Sequence, residues 1–353
     1  MSDPELITHR DGALGRLTLN RPSALGALTT GMCEAMTAAL LGWRDDPTLH
    51  SVMIDHAGPR GFCAGGDIRF LADSGAAGGA GAFNFFAIEY RLNQLLGVYP
   101  KPLITVMDGV TMGGGVGISW PAQVRIATER TRFAMPETGI GLFPDVGSGW
   151  YLPRLAGRAG LWLVLTGARL GPADCRALGL ATHVVESADL PAIKAKLAAD
   201  PAAIRTILAE FEPVAGPASI SDYRADIDRL FTGDSVEAIL ASLQADGSEW
   251  ALAQAEAMAP KCPVSAKVAF RLIAGGLAPK SLADDLVIEY RLGRRIVVSA
   301  DFAEGVRAVI VDKDNRPAWL PASLAEVTEA MVDAIFAPLP AGEEWTPLLA
   351  QGD

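Results

Sequence analysis

Three glycine-dense loops crowd the first half of the chain: Phe62-Cys-Ala-Gly-Gly-Asp67, Met112-Gly-Gly-Gly-Val-Gly117 and Pro144-Asp-Val-Gly-Ser-Gly149. Glycine loses more backbone entropy on folding than any other residue. It is therefore kept where the main chain turns at positive φ or approaches something closely. Tight strand-to-helix turns account for any one of these loops, but three together ask for a further use.

The segments around them alternate in period. Residues 5–9 and 15–19 read as short strands joined by a turn at 11–15, and residues 29–43 have helical spacing with Thr29 and Thr30 as capping candidates. A strand at 51–55, a helix at 83–99, an apolar β-type run at 102–107 and a short helix at 114–120 follow. Strand then helix with short links reads as α/β. Residues 74–82 are almost entirely Gly and Ala and read as a flexible surface loop, a lid or a tether. From about Leu190 the pattern becomes long helical segments, broken at 213–219, 247, 260–263 and 275–279. The expected division is a site-bearing region over 1–190 and a mainly helical region over 191–353.

With 353 residues, half of them hydrophobic, the chain can bury a full core as one large domain or one domain with an appendage. A net charge of −11 offers no basic block for phosphates, which argues against nucleic acid as a partner. The four cysteines, Cys33, Cys63, Cys175 and Cys262, form no CxxC pair, so neither a disulfide framework nor a zinc site is expected and a reducing cytoplasm fits. The N-terminal text has acidic residues and no apolar stretch, so it reads as neither a secretory signal nor a transit peptide. No apolar run approaches the roughly 20 residues of a membrane span, and no membrane partner is expected.

Nucleotide loops fail on the letters: no GxxxxGK followed by Ser or Thr occurs, and GxGxxG started at Gly113 ends on Ile118. Glycine amides at the start of a helix near 114 could instead face a developing negative charge, the chemistry of an oxyanion hole. The four histidines lie outside all three loops, which disfavours a nucleophile–histidine scheme. No HExxH or EF-hand pattern appears, so no metal is expected. Glu137 and Asp145 stand out because they sit among apolar and turn residues. Burial would raise a carboxyl pKa towards neutrality and suit it to acid or base work. Two loop carboxylates that merely cap backbone amides remain the alternative.

Several stretches together resemble the crotonase (enoyl-CoA hydratase/isomerase) superfamily, closest to its 3-hydroxyisobutyryl-CoA hydrolase branch. They are Leu19-Asn-Arg-Pro22, Gly61 to Arg69, Asp108 to Gly117, Ala134-Met-Pro-Glu-Thr138, Gly141 to Gly147, Glu289-Tyr-Arg-Leu292 and Asp301 to Ile310. The resemblance implies an α/β crotonase (ClpP-like) spiral of ββα units, with a helical C-terminal region that covers the site and mediates self-association; a homo-oligomer of unspecified number is left open. It implies that the amides of Gly66 and Gly114 hold a thioester carbonyl, and that Ser23, Ala24, Leu25, Ala64, Asp67, Ile68 and Arg69 line the coenzyme A site, with Arg69 near a phosphate. No cofactor is implied beyond coenzyme A as part of an acyl-CoA substrate. The hydratases place a glutamate where this chain has Gly117. The implied reaction is therefore hydrolysis of a short branched 3-hydroxyacyl-CoA, as in valine breakdown. Glu137 would attack the carbonyl or activate water, and Asp145 would orient the 3-hydroxyl or assist proton transfer. Enoyl-CoA hydration or isomerisation is the alternative, and acyl-CoA binding without catalysis is a second.

Overall fold

The computed structural model describes residues 3–211 and 216–349. The strands described are β1 (Leu6–Asp11), β2 (Leu14–Leu19), β3 (Ser51–His56), β4 (Gly61–Cys63), β5 (Leu103–Met107), β6 (Val110–Met112), β7 (Val124–Thr128), β8 (Arg132–Ala134) and β9 (His183–Val185). One sheet has the order β1-β2-β3-β5-β7-β9 and a second has the order β4-β6-β8. Among the described strands only the β1–β2 pair is antiparallel; every later strand pair runs parallel. The chain thus visits the large sheet, then the small one, then a helix, and repeats. This is the expected spiral of ββα units.

Parallel strands buried on both faces read as continuous apolar runs. In β3 and β5 every residue but His56 is buried. Alternation sends Met53, Ile104, Val106 and Ile126 to one face, where they pack on Leu190, Ile193 and Leu197. Val52, Ile54 and Leu103 face the other way, into the main core with Leu40, Leu92 and Leu96.

The helix predicted at 29–43 spans Thr30–Arg44, and Thr29 caps it by accepting from the Met32 N–H. His183, one of the histidines outside the glycine loops, opens the edge strand β9. Residues 74–82 are not a loop or lid. They divide between the helices Ile68–Ala76 and Ala80–Gly97, with only 77–79 between them. Alanine is the strongest helix former. Gly75 is buried so close to the Val297 carbonyl that no side chain would fit. Composition suggested flexibility, whereas the glycine serves packing.

Beyond β9 the described elements are helices, from Leu190–Ala199 to Glu329–Phe336, with irregular stretches at 312–323 and 337–349. The expected break at 213–219 falls partly on 212–215, outside the described residues. Gly247, at φ +69, ends the helix Val236–Asp246 in left-handed backbone. The helix Leu282–Ile296 packs its Gly293 against Phe86 of the helix Ala80–Gly97. All four cysteines are buried and unpaired. Among the described residues no helix is long and apolar enough to cross a membrane.

Candidate active site

Two glycine loops meet at the ends of the small sheet. β4 runs into Ala64-Gly65-Gly66, and β6 runs into Gly113, which takes φ +49 before the helix Gly114–Ser119. The first loop is clamped: Leu28 donates its N–H to the Gly65 carbonyl at 2.8 Å, and Asp67 donates to the Leu28 carbonyl at 3.0 Å. A β-carbon on Gly113 would lie 3.3 Å from Gly65 Cα, so the loops touch through their backbones. Neither the Gly66 nor the Gly114 N–H donates a hydrogen bond among the described residues. Two N–H groups at this convergence, one at a helix start, are suited to an oxygen that gains negative charge.

They sit on a cavity of about 1170 Å³ that also takes in Glu89, Glu137 and Asp145. Glu137 follows β8 in a turn of 3-10 helix, 5% exposed, with Oε2 unpartnered. Its Oε1 lies 3.3 Å from where a Gly113 β-carbon would be. Burial, then the charge of Asp145, pushes its pKa well above the usual carboxylate range. Asp145 accepts from Tyr90 Oη at 2.8 Å through Oδ2, and burial pushes it up to about 6 in spite of that bond. Asp145 can thus exchange a proton near pH 6, and Glu137 holds its proton well above the ordinary carboxylate range. A cation stands near them: Lys261 lines the same cavity, and burial lowers its pKa while Glu137 opposes the shift.

Glu89 is the residue that sequence reasoning missed. It is 2% exposed on the helix Ala80–Gly97, its Oε1 has no partner, and a β-carbon on Gly114 would collide with that atom. Burial and Asp145 push its pKa well up. A signal was present in the spacing. Glu89 falls three and four residues from Phe86, Phe85, Leu92 and Asn93, on the buried stripe of the helix.

Of the residues expected from sequence, Gly66, Gly114, Glu137, Asp145, Leu25, Ala64 and Ile68 line this cavity together. Ser23 and Ala24 form a turn of 3-10 helix outside the lining, and Ser23 is exposed. Asp67 pairs with Arg21 at 3.0 Å and caps the helix Ile68–Ala76 through the Phe70 N–H. Arg69 is exposed and donates to the Ile310 carbonyl at 3.3 Å. Gly117 is buried and has no room: a β-carbon there would lie 2.5 Å from Val146 Cβ and 2.9 Å from Asn93 Nδ2. Among the described residues no group of three or more His, Cys, Asp or Glu could hold a metal ion.

Comparison with known proteins gives the family and the fold. A model of the enoyl-CoA hydratase/isomerase family matches residues 14–336. The mitochondrial 3-hydroxyisobutyryl-CoA hydrolase of Danio rerio is 45% identical over 95% of this chain and 90% of its own length. Two solved structures superpose closely. A carnitinyl-CoA dehydratase from Mycobacterium thermoresistibile has a TM-score of 0.93 at 39% identity, covering 98% of this chain and 99% of the other. An enoyl-CoA hydratase from Rhodobacter sphaeroides 2.4.1 has a TM-score of 0.90 at 38% identity, covering 97% and 100%.

Proposed function

The chain belongs to the enoyl-CoA hydratase/isomerase family, and on that premise we propose that it hydrolyses a short branched 3-hydroxyacyl-CoA of the 3-hydroxyisobutyryl type to the free acid and coenzyme A. The observation that carries this reading is the pairing of two unspent amides, Gly66 and Gly114, with a buried Glu137 beside them and a closed position at Gly117. Adding water across a double bond with two glutamates needs a side chain at 117, and Val146 and Asn93 occupy that space.

In the proposed reaction the thioester oxygen takes the N–H of Gly66 and of Gly114. Glu137 delivers the attack on the carbonyl carbon, through its own oxygen or through a water it deprotonates. The C–S bond then breaks and the sulfur leaves as thiolate; on the water route it takes the proton that Glu137 removed, and on the direct route a water opens the acyl-Glu137 anhydride, giving its hydroxyl to the acyl carbon and its proton to the thiolate. Asp145, able to hold a proton up to about pH 6, and Glu89 form the polar end of the cavity that receives the 3-hydroxyl. An acyl-Glu137 anhydride that borohydride can trap separates the first route from the second. Coenzyme A enters only as part of the substrate. With four buried, unpaired cysteines the chain suits a reducing compartment, and the cytoplasm is the one proposed, although the Danio rerio relative is mitochondrial by name.

The test follows two signals on matched substrates. The wild type should release free thiol from 3-hydroxyisobutyryl-CoA, and Glu137→Gln should not. Hydration is the second reading, since the two structural neighbours are a dehydratase and a hydratase. Loss of enoyl absorbance without thiol release would establish that reading and overturn the first.

A further inference from the structure

Glu289 lies 142 residues beyond Gly147 in the chain, on the helix Leu282–Ile296, with no solvent exposure. Its carboxylate grips one turn of backbone. Oε2 accepts from the Gly147 N–H at 2.8 Å and Oε1 accepts from the Gly149 N–H at 3.1 Å. That turn directly follows Asp145, and its backbone is unusual: Val146 takes φ +58 and Gly147 φ +90. Left-handed backbone at a β-branched residue costs on the order of 1–3 kcal/mol and persists only where the surroundings fix it.

The rest of the turn is fixed around the same residue. Ser148 donates its N–H at 3.1 Å and its Oγ–H at 2.6 Å to the Asp145 carbonyl, while Tyr90 holds the Asp145 side chain. Asp285 sits one helical turn before Glu289, also without solvent exposure, and faces the Glu289 carboxyl and the Trp150 backbone. A β-carbon on Gly149 would collide with Asp285 Oδ1, so this carboxyl presses on the same turn. Two dry carboxyls this close cannot both ionise, so one proton stays on the pair, and the Gly147 and Gly149 N–H bonds oppose the rise at Glu289. Burial pushes Asp285 up to about 7 and Glu289 well above the usual range, while the Glu289 hydrogen bond, the Trp150 amide and Arg154 oppose the rise at Asp285.

We infer that Glu289 is a positioning residue for thioester hydrolysis: by holding the Gly147 and Gly149 amides it fixes the turn that aims the Asp145 carboxyl into the cavity. The inference rests on the reading of Asp145 as a working carboxyl. It assigns to the helix Leu282–Ile296 a part in the chemistry that no contact with substrate would reveal.

The experiment is a double-variant cycle read by thiol release from 3-hydroxyisobutyryl-CoA. Glu289→Gln puts an amide nitrogen against one glycine N–H and releases the turn. Its kcat should fall about 10- to 100-fold with KM within about threefold, the scale of a misplaced catalytic group. In an Asp145→Asn background the same change should cost less than about threefold more, because both act through one carboxyl. An equal fold-loss in both backgrounds, or a Glu289→Gln enzyme within about twofold of wild type, overturns the inference. Should Glu289→Gln fail to fold, Glu289→Asp keeps the charge but is one methylene too short to reach both amides, and the same pattern is required of it. A wild type that releases no thiol overturns the hydrolase reading and this inference with it; an active wild type with an indifferent Glu289 overturns the inference alone.

Discussion

Replacing Asp145 by Asn should make the protein more stable and less active, with a pH dependence that identifies the cause. Asp145 is 5% exposed, and burial raises it from an ordinary 3.8 to about 6. The folded state therefore holds its proton more tightly than the unfolded chain. A raised carboxyl contributes stability that is fully present below the unfolded value and is lost as pH climbs through the folded one. At 1.36 kcal/mol per unit this is a loss of about 3 kcal/mol between roughly pH 4 and pH 6, constant above that. Asn never ionises, and its carbonyl oxygen can still accept from Tyr90 Oη. Removing the charge also relieves Glu89 and Glu137, both of which it pushes upward. Reversible urea unfolding of the two proteins at pH 4, 5, 6 and 8 should thus show a gap near zero at pH 4 that opens to about 3 kcal/mol by pH 7 in favour of Asp145→Asn. Thiol release by the same variant should fall at every pH. A gap that is absent at pH 8, or equally large at pH 4 and pH 8, refutes the assignment of a buried, proton-holding carboxyl.

The other expectations are simpler. Gly114→Ala places a β-carbon on Glu89 Oε1 and should lower kcat about 100-fold or more by disturbing an oxyanion donor, measured as thiol release. Gly117→Glu should cost about 1–3 kcal/mol or more from overpacking against Val146 and Asn93, measured by urea unfolding, and should gain no hydration of an enoyl-CoA. Burial raises all four thiols, Cys63 and Cys262 to about 12, so a thiol reagent at pH 8 should titrate no cysteine of the native protein and all four after unfolding. The same burial leaves the thiol-release assay without a background from the protein.

The backbone parts of the site were legible because glycine there is tied to a local task. Gly113 adopts positive φ, Gly114 opens a helix, and the residues responsible are neighbours in the chain. Glu137 and Asp145 were legible for a different reason, as acids set among Phe, Pro and Gly where solvated carboxylates seldom occur. Glu89 and Glu289 were not, because each stands in a helix with Tyr and Arg after it, which reads like an ordinary charged face. What marks them is register: both lie on the buried stripe, and that stripe is recognised only by asking which side of the helix each acid occupies. The alanine- and glycine-rich stretch 74–82 misled for the converse reason. Its composition matches a tether, yet Gly75 is needed where two backbones touch.

The grip of Glu289 on Gly147 and Gly149 has a consequence in time. A chain made from its N-terminus can complete the spiral, both glycine loops, Glu137 and Asp145 before the helix that holds the Asp145 turn has been synthesised. Contacts that close so long a stretch of chain form late, since their loop-closure entropy must be met first. Catalytic competence should accordingly be the last property acquired on refolding, lagging behind the recovery of the sheet, and its half-time should report the docking of the helix Leu282–Ile296.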